Sequence, residues 1–269
     1  MNNFYKRTIT GTIFVVVLIG ALLAHKYSFY IFFLLLTIGA INEFFQLSKK
    51  AGAIPQKLLG SIAAISIFTS AFVHVTYNYQ KLYLISGLII ALIFISELYR
   101  KKKDPFKNIA WTLTGLIYTT LPFALLNYIV FFKDNIFRPE LLACIFLLIW
   151  TNDSFAYISG VSFGKHRLFK RISPKKSWEG SIGGGLSTIG IAILLSYYPG
   201  LLSLTDWIVI AIITVVTGTL GDLTESLLKR SINIKDSGNL LPGHGGILDR
   251  FDALLLAIPF IFVYLSFKY

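Results

Sequence analysis

The sequence predicts an all-α fold, a polytopic integral membrane helical bundle of about nine transmembrane helices. Hydrophobic residues make up 55% of the 269 residues, the mean hydropathy is +0.70, and only 14% of the residues are charged. This composition is far more apolar than that of soluble globular domains. In addition, apolar runs long enough to cross a hydrocarbon core of roughly 30 Å recur along the chain.

Each predicted span is an apolar run bounded by charged or turn-forming residues. The runs cover approximately residues 9–25, 28–47, 58–78, 82–99, 109–132, 140–160, 180–198, 206–228 and 252–267. We interpret the first run as an uncleaved span rather than a signal peptide, because a second span follows it almost at once.

Basic residues predict the orientation of these spans. The chain carries 25 Lys and Arg against 13 Asp and Glu, a formal net charge of +12. Most of the bases fall in alternate loops, and Lys and Arg concentrate in the cytoplasmic loops of membrane proteins. The pattern predicts an odd number of spans, with the N-terminus inside and the C-terminus outside. Because the bases flank apolar spans, where anionic lipids attract them, nucleic acid is not expected as a partner.

Few ionisable residues interrupt the first six spans. Glu43 and Glu97 are expected near the cytoplasmic interface, which favours a solvated or Lys-paired carboxylate; a role as supporting partner of a functional site stays open. Asp153 interrupts the sixth span. Intramembrane carboxylates usually face a cavity or one another, so Asp153 is a candidate site residue, with a structural hydrogen bond between helices as the alternative.

The loop that follows the sixth span is the most basic in the chain and reads GKHRLFKRISPKKSWEG. Ser173 and Pro174 fit an N-cap followed by proline at the first helical position, so we expect a helix to begin there. Its N-terminus would present phosphate-binding groups, namely Lys175, Lys176 and the amides of Ser177 and Trp178. A basic cluster that only sets orientation is the alternative. The glycines of 181–185 favour close helix packing over a phosphate loop.

Carboxylates gather around the eighth and ninth spans. The helix leaving the eighth span places four polar residues at i, i+3, i+4 and i+7, on one face: Asp222, Glu225, Ser226 and Lys229. A loop rich in Gly and Pro then leads to Asp249 and Asp252. Oxygen ligands without a Cys cluster favour a hard cation, and Mg²⁺ is the natural candidate. His244, flanked by glycines, is a candidate phosphate contact. Salt bridges between loop and helix ends are the structural alternative.

The stretch from Ser226 to Asp252 carries a resemblance to a known family. It reads SLLKR, then KDSG from Lys235, then LPGHGGILDRFD from Leu241. This pattern resembles the complete signature of the CDP-diacylglycerol synthases, also called phosphatidate cytidylyltransferases. Asn152-Asp153 and the SPKKSWEG part of the basic loop also resemble motifs of that family. The resemblance covers roughly the C-terminal half, whereas the N-terminal spans resemble the family only in hydropathy.

The resemblance implies transfer of a cytidylyl group from CTP to phosphatidic acid, giving CDP-diacylglycerol and pyrophosphate in phospholipid biosynthesis. It also implies a helical membrane bundle, commonly a homodimer, with a polar cavity open to the cytoplasm. Carried over by position, Asp222 and Asp249 would be the principal metal ligands, with Ser226, Lys229 and Asp252 in the same site. We expect one membrane domain, 1–269, with scaffold spans in 1–139 and catalytic spans and cytoplasmic loops in 140–269.

This reaction requires charge neutralisation rather than a protein nucleophile, because the attacking phosphate oxygen is already anionic. The catalytic candidates are Asp222, Asp249 and Lys229. The candidates for binding Mg²⁺ are Asp222, Asp249 and Asp252. The substrate-binding candidates are Asp153, Lys175, Lys176, Ser177, Ser226, Arg230, His244 and Arg250.

Two other functions stay open at this point. A CTP-dependent polyprenol kinase would share acidic and basic loop elements but would transfer the γ-phosphoryl group and release CDP. A transporter would explain the spans and Asp153, but it predicts ionisable residues deep in several spans, which the first five lack. The compact architecture favours a bacterial inner membrane, with an organelle membrane as the alternative.

Overall fold

The chain is almost entirely helical in a computed structural model that describes residues 3–133, 135–198, 200–234, 236–238 and 245–269, with side chains from residue 9 onward. The helices are α1 (Asn3–Ala24), α2 (Lys26–Lys50), α3 (Lys57–Tyr77), α4 (Leu82–Glu97), α5 (Pro105–Gly115), α6 (Leu121–Val130), α7 (Pro139–Phe163), α8 (Trp178–Ser196), α9 (Leu204–Ser231) and α10 (Leu248–Lys268). A π-helical turn, Leu116–Thr120, joins α5 to α6. Two short strands, β1 (Arg167–Phe169) and β2 (Ser173–Ser177), form an antiparallel hairpin before α8.

Seven helices in the described part of the chain are long and apolar enough to cross a membrane. They are α2, α3, the joined α5 and α6, α7, α8, α9 and α10, and they coincide with seven of the predicted spans. The runs predicted as the first and fourth spans form shorter apolar helices, Ile9–Ala24 and Leu82–Glu97. The chain is therefore a helical integral membrane protein. A count of nine spans and the N-in, C-out orientation stay predictions.

The chain divides into two compact units. Unit 1 comprises Met1–Pro139 and Ser231–Phe251, and unit 2 comprises Glu140–Arg230 and Asp252–Tyr269. The expected division into scaffold spans, 1–139, and catalytic spans with cytoplasmic loops, 140–269, stays a prediction.

Aromatic side chains fill the core of unit 1. Phe44 and Phe45 of α2 are almost fully buried and pack against glycines on neighbouring helices. A Cβ at Gly60 of α3 would lie 2.5 Å from the Phe45 ring, and a Cβ at Gly115 would lie 2.9 Å from the Phe44 ring. These two positions therefore require glycine for the helices to approach closely.

Glu97, at the end of α4, belongs to a buried polar network in unit 1. Its carboxylate accepts hydrogen bonds from Gln56 at 2.6 Å and Asn108 at 3.0 Å, and it pairs with Arg100 at 2.6 Å. The side chain is only 2% exposed. The expectation of a solvated or Lys-paired carboxylate is wrong here, because an arginine and two amides replace water as partners and tie α4 to its neighbours.

Glycines bring α7 and α8 of unit 2 into close contact. A Cβ at Gly180 would lie 2.7 Å from the carbonyl oxygen of Ala156, and a Cβ at Gly184 would lie 2.7 Å from that of Asn152. Distances of this kind leave no room for a side chain. The prediction that the glycine run serves helix packing is confirmed.

We predict that Gly184→Ala destabilises the protein, whereas Gly190→Ala on the same helix does not. The new methyl group at 184 must push α8 away from α7, and overpacking of this kind costs about 1–3 kcal/mol. At Gly190 nothing lies within 4 Å of the added Cβ, so the alanine fits. Thermal unfolding of both purified variants in the same detergent measures the difference. Equal transition temperatures for the two variants would contradict the close contact.

Candidate active site

The basic loop of unit 2 folds as a hairpin and not as the start of a helix. Ser173 and Pro174 open β2, and α8 begins only at Trp178, with Ser177 as its N-cap. The Ser177 hydroxyl accepts a hydrogen bond from the Gly180 amide at 3.2 Å. The predicted helix start at Ser173 is therefore wrong, because the cap motif is used four residues later, where Ser177 satisfies an amide of the first turn.

One of the two amides expected to receive phosphate at this helix start, that of Trp178, already has a partner. The amide of Trp178 donates to the carbonyl oxygen of His166 at 2.9 Å, and that of Gly180 donates to Ser177. Ser177 itself is almost fully buried. The expectation of a phosphate-binding helix N-terminus is therefore wrong for the Trp178 amide, which the hairpin satisfies. Substrate binding by Ser177 stays a prediction.

Lys176 and Asp222 form the centre of a charged cluster in unit 2. The Lys176 ammonium lies 2.6 Å from Oδ2 of Asp222, and both side chains are partly exposed. On the same helix, the Ser226 hydroxyl lies 3.3 Å from Oδ1 of Asp222, one turn away as the i, i+4 spacing predicts. The strand β2 thus supplies the base, and α9 supplies the carboxylate and the hydroxyl.

Two further carboxylates of unit 2 belong to this cluster. Asp153 of α7 interacts electrostatically with Asp222 and Lys176, and Asp252 of α10 interacts with Asp222, Asp153 and Lys176. Three carboxylates therefore share one neighbourhood with a single lysine of the hairpin. Like charges that interact repel one another, so this neighbourhood is a candidate cation site, and a bound cation stays a prediction.

A glycine determines how close α9 and α10 lie at this cluster. A Cβ at Gly221 would collide with the carbonyl oxygen of Asp252 and would lie 3.2 Å from the Cα of Ala253. One turn earlier, a Cβ at Gly218 would make an ordinary contact of 3.5 Å with the Cβ of Ala253. The backbones of the two helices therefore lie very close to each other next to Asp222, and glycine at 221 permits it.

The remaining predicted bases of unit 2 have different surroundings. Lys229 forms an ion pair with Glu225 within α9, and the side chains of both are largely buried. Lys175 and Arg230 are exposed. The structure thus separates the predicted helix face into two pairs, Asp222 with Ser226 and Glu225 with Lys229. A catalytic or substrate-binding role for these bases stays a prediction.

Asp249 lies in unit 1, in the first turn of α10. Its Oδ2 accepts hydrogen bonds from the Ser237 amide at 3.0 Å, the Ser237 hydroxyl at 2.8 Å and the Gly246 amide at 2.9 Å. Gly245 has a φ of +84°, and a Cβ there would lie 2.6 Å from Oδ2 of Asp249. The loop therefore holds Asp249 in one orientation, as the hydrogen-bonded carboxylates of metal sites are held.

Arg250 is exposed, and His244 lies outside the described residues.

Glu43 of α2 supports the same loop in unit 1, which is the second of the two roles expected for it. Its carboxylate accepts hydrogen bonds from the Ile247 amide at 2.8 Å and the Leu248 amide at 3.3 Å, and it also contacts the Ser237 hydroxyl. Glu43 is only 5% exposed. Of its two expected roles, the solvated or Lys-paired carboxylate is wrong, because backbone amides at the start of α10 and a serine are its partners.

Ser237 is a functional candidate that sequence reasoning missed, whereas Glu43 takes the supporting role that the sequence had left open. Ser237 was quoted within the KDSG motif but received no role, and Glu43 was expected near the cytoplasmic interface, with a supporting role at the site as the alternative. For Glu43, the only available signal in the sequence was that it is the lone acidic residue of α2. Among the described residues, no group of three His, Cys, Asp or Glu side chains is already arranged to hold a metal ion. A metal shared by Asp222 and Asp249 stays a prediction.

We predict that Glu43→Gln lowers thermal stability, because the glutamine amide places an NH₂ group against backbone donors that need an acceptor. Leaving such buried donors unsatisfied costs roughly 1–3 kcal/mol. The matched control is Glu140→Gln, which makes the same change at an exposed position in the first turn of α7. Thermal unfolding of both variants measures the effect. A transition temperature for Glu43→Gln as high as that of the control would show that the amides do not depend on the carboxylate.

The sequence matches known proteins over nearly its whole length. The model of the cytidylyltransferase family matches residues 5–268. A phosphatidate cytidylyltransferase of Haemophilus influenzae is 32% identical over 270 residues, which cover 91% of this chain and 94% of that protein. One of Rickettsia bellii is 34% identical over 77% of this chain and 88% of its own length. One of Staphylococcus epidermidis is 31% identical over 95% of this chain and 96% of its own. The chain belongs to the cytidylyltransferase family.

Proposed function

We propose that the chain is a phosphatidate cytidylyltransferase, which transfers CMP from CTP to phosphatidic acid and yields CDP-diacylglycerol and pyrophosphate. The observation that carries this proposal is the cluster of Asp153, Asp222 and Asp252 with Lys176 in unit 2. Such a site suits the meeting of two phosphate-bearing substrates. The names of the relatives support the substrate pair, and the lipid substrate agrees with a membrane protein.

The reaction is a direct displacement at phosphorus. A phosphate oxygen of phosphatidic acid forms a bond to the α-phosphorus of CTP, while the bond from that phosphorus to the oxygen bridging to the β-phosphate breaks. The electron pair leaves with pyrophosphate. No protein nucleophile is needed, because the attacking oxygen is already anionic. The protein's task is to position the two substrates and to offset their negative charges.

The donor set of the cluster fits Mg²⁺. Carboxylate oxygens are the ligands that Mg²⁺ uses in proteins, usually one or two per ion, with phosphate and water oxygens completing the octahedron. Asp222 and Asp252 would hold the ion within unit 2. The family resemblance also implies Asp249 as a metal ligand. When bound, Mg²⁺ supplies charge stabilisation for the phosphates and for the pyrophosphate leaving group.

Lys176 and Ser226 have distinct tasks in this proposal. Lys176, already 2.6 Å from Asp222, releases that carboxylate and turns to a phosphate oxygen when substrate binds. Ser226 keeps the Asp222 side chain oriented through its hydroxyl. Lys175, Lys229, Arg230, His244 and Arg250 are the further bases proposed to contact phosphates. The distribution of bases among the loops supports a site open to the cytoplasm. A bacterial membrane is the proposed location, and a homodimer is the proposed assembly.

We predict that the purified protein, given CTP, Mg²⁺ and phosphatidic acid, releases pyrophosphate and forms CDP-diacylglycerol, and that Asp222→Asn lowers the rate by about 100-fold or more. The asparagine keeps the size of the side chain but removes its charge. The control is Asp104→Asn, the same change at an exposed residue of unit 1. Both products are measured by chromatography of labelled nucleotide and lipid.

Three outcomes of this assay would contradict the proposal. Release of CDP in place of pyrophosphate would indicate a lipid kinase. Absence of nucleotide turnover with any lipid would favour a transporter. Full activity of a correctly folded Asp222→Asn protein would remove that residue from the site.

Chelation with EDTA is expected to stop turnover, and added Mg²⁺ is expected to restore it.

We predict that Gly221→Ala lowers the rate of cytidylyl transfer by about 10- to 100-fold, because separating α9 from α10 displaces Asp222 relative to Asp252. Gly218→Ala is the matched control, since its methyl group meets Ala253 at an ordinary distance. The rates of both variants are compared with their thermal stability. Equal rates for the two variants would show that the close helix approach has no part in catalysis.

A further inference from the structure

A second basic region of unit 2 lies at the hairpin and uses none of the residues of the carboxylate cluster. It is a cleft of about 590 Å³ lined by Lys165, His166, Arg167, Lys170, Trp178, Glu179 and Ile182. Its volume lies within the range of small-molecule sites, roughly 300–1,000 Å³. The proposed reaction gives this cleft no task.

Contacts between the hairpin and α8 hold the cleft in shape. The Glu179 carboxylate accepts a hydrogen bond from the His166 amide at 3.1 Å and lies 2.6 Å from Nδ1 of the His166 ring. The Trp178 amide donates to the carbonyl oxygen of His166 at 2.9 Å. The residue that opens the hairpin is thus fixed to the first turn of α8, so the walls of the cleft are built before any ligand arrives.

The charge of the cleft is positive. Lys165, Arg167 and Lys170 are exposed, and within the described part of the chain they form no ion pair. Glu179 is the one acidic residue that lines the cleft, and His166 engages it. Three uncompensated cations around one depression favour an anionic ligand, and phosphate is the anion that Lys and Arg bind most readily.

An exposed apolar stripe continues from the cleft along α8. Trp178, Ile182 and Leu186 are spaced i, i+4 and i+8, so they lie on one face, and they are 56%, 57% and 68% exposed. Helix α8 is also the least buried of the seven candidate spans. Trp is enriched where a span meets the interface, with apolar residues deeper. A membrane-spanning α8 would therefore place the bases at headgroup level and the stripe at acyl-chain level.

We propose that the cleft binds the phosphate headgroup of an anionic phospholipid, whose acyl chains lie along the stripe of Trp178, Ile182 and Leu186. A soluble nucleotide would use the bases but would leave the stripe without a role, whereas an anionic lipid uses both. Basic pockets beside membrane helices bind such headgroups by this combination of charge and apolar contact. The proposal does not depend on the proposed catalysis.

The test measures binding of phosphatidylglycerol, whose phosphodiester is not the acceptor in the proposed reaction. The protein is purified in neutral detergent, phosphatidylglycerol or phosphatidylcholine is titrated in, and native mass spectrometry counts the retained lipids. The site variant is Lys165→Gln with Arg167→Gln and Lys170→Gln. The control is Lys101→Gln with Lys102→Gln and Lys103→Gln, which removes the same charge from another exposed basic run.

The wild type and the control are expected to retain phosphatidylglycerol in preference to phosphatidylcholine, and the site variant is expected to bind it about tenfold more weakly or worse. An equal loss in the control would reduce the effect to general surface charge and overturn the proposal. No preference for phosphatidylglycerol in the wild type would also overturn it. Displacement of the lipid by CTP at equal concentration would assign the cleft to the nucleotide instead.

A measurement on the wild type keeps the proposal testable if the site variant fails to fold. Phosphatidylglycerol with a photoreactive group on one acyl chain is mixed with the protein, and the crosslinked peptides are identified by mass spectrometry. Crosslinks are expected on the α8 segment that contains Ile182 and Leu186. Crosslinks spread evenly over the exposed apolar helices would show that no lipid is held at the cleft.

Discussion

The structure depends on one constraint, that a carboxylate on an apolar helix must have donors or a cation beside it. In unit 2 this requirement is met in two ways. Asp206, at the start of α9, is fully buried; its hydroxyl donors are Ser203, Tyr264 and Tyr269, and the Lys268 ammonium lies 3.6 Å from its Oδ1. Asp222, near the other end of α9, is partly exposed and has the flexible ammonium of Lys176. Three hydroxyl donors occupy the buried Asp206 carboxylate, whereas the partly exposed Asp222 has one hydroxyl and the Lys176 ammonium, partners that it can exchange for an ion or a phosphate.

Close helix contacts hold these carboxylates in fixed positions. A carboxylate cluster repels itself, so the helices that carry it must be held together by contacts elsewhere. Gly221 lets α9 approach the backbone of Asp252, and Gly180 and Gly184 bring α8 against α7, which carries Asp153. Packing of small residues gives membrane helices the van der Waals contact that a hydrophobic driving force cannot supply within lipid. The glycines therefore position the acids although they carry no chemistry.

The helices could be predicted from the sequence because lipid forces every backbone amide to be satisfied within its own segment, so an apolar run of sufficient length becomes a helix. The cluster of Asp222 with Ser226 followed from helical spacing alone. The contacts of Glu43 could not be predicted, because its partner Ser237 is 194 residues away in the sequence. The periodicity of a helix indicates only contacts between residues that are close in sequence. The helix expected at Ser173 failed for a local reason, since a cap motif does not reveal whether strand pairing will compete for the same residues.

Because this segment is a strand and not the predicted helix, the basic loop distributes its lysines differently. A helix would have carried Lys175 and Lys176 round one N-terminus, where both could meet the same phosphate. In the strand β2, successive side chains point to opposite faces. Lys176 turns to Asp222, and Lys175 remains exposed. The same hairpin also presents Arg167 of β1 to the lipid-facing cleft. One short hairpin thus divides its bases between the carboxylate cluster and the membrane surface, a division that a helix in this place could not make.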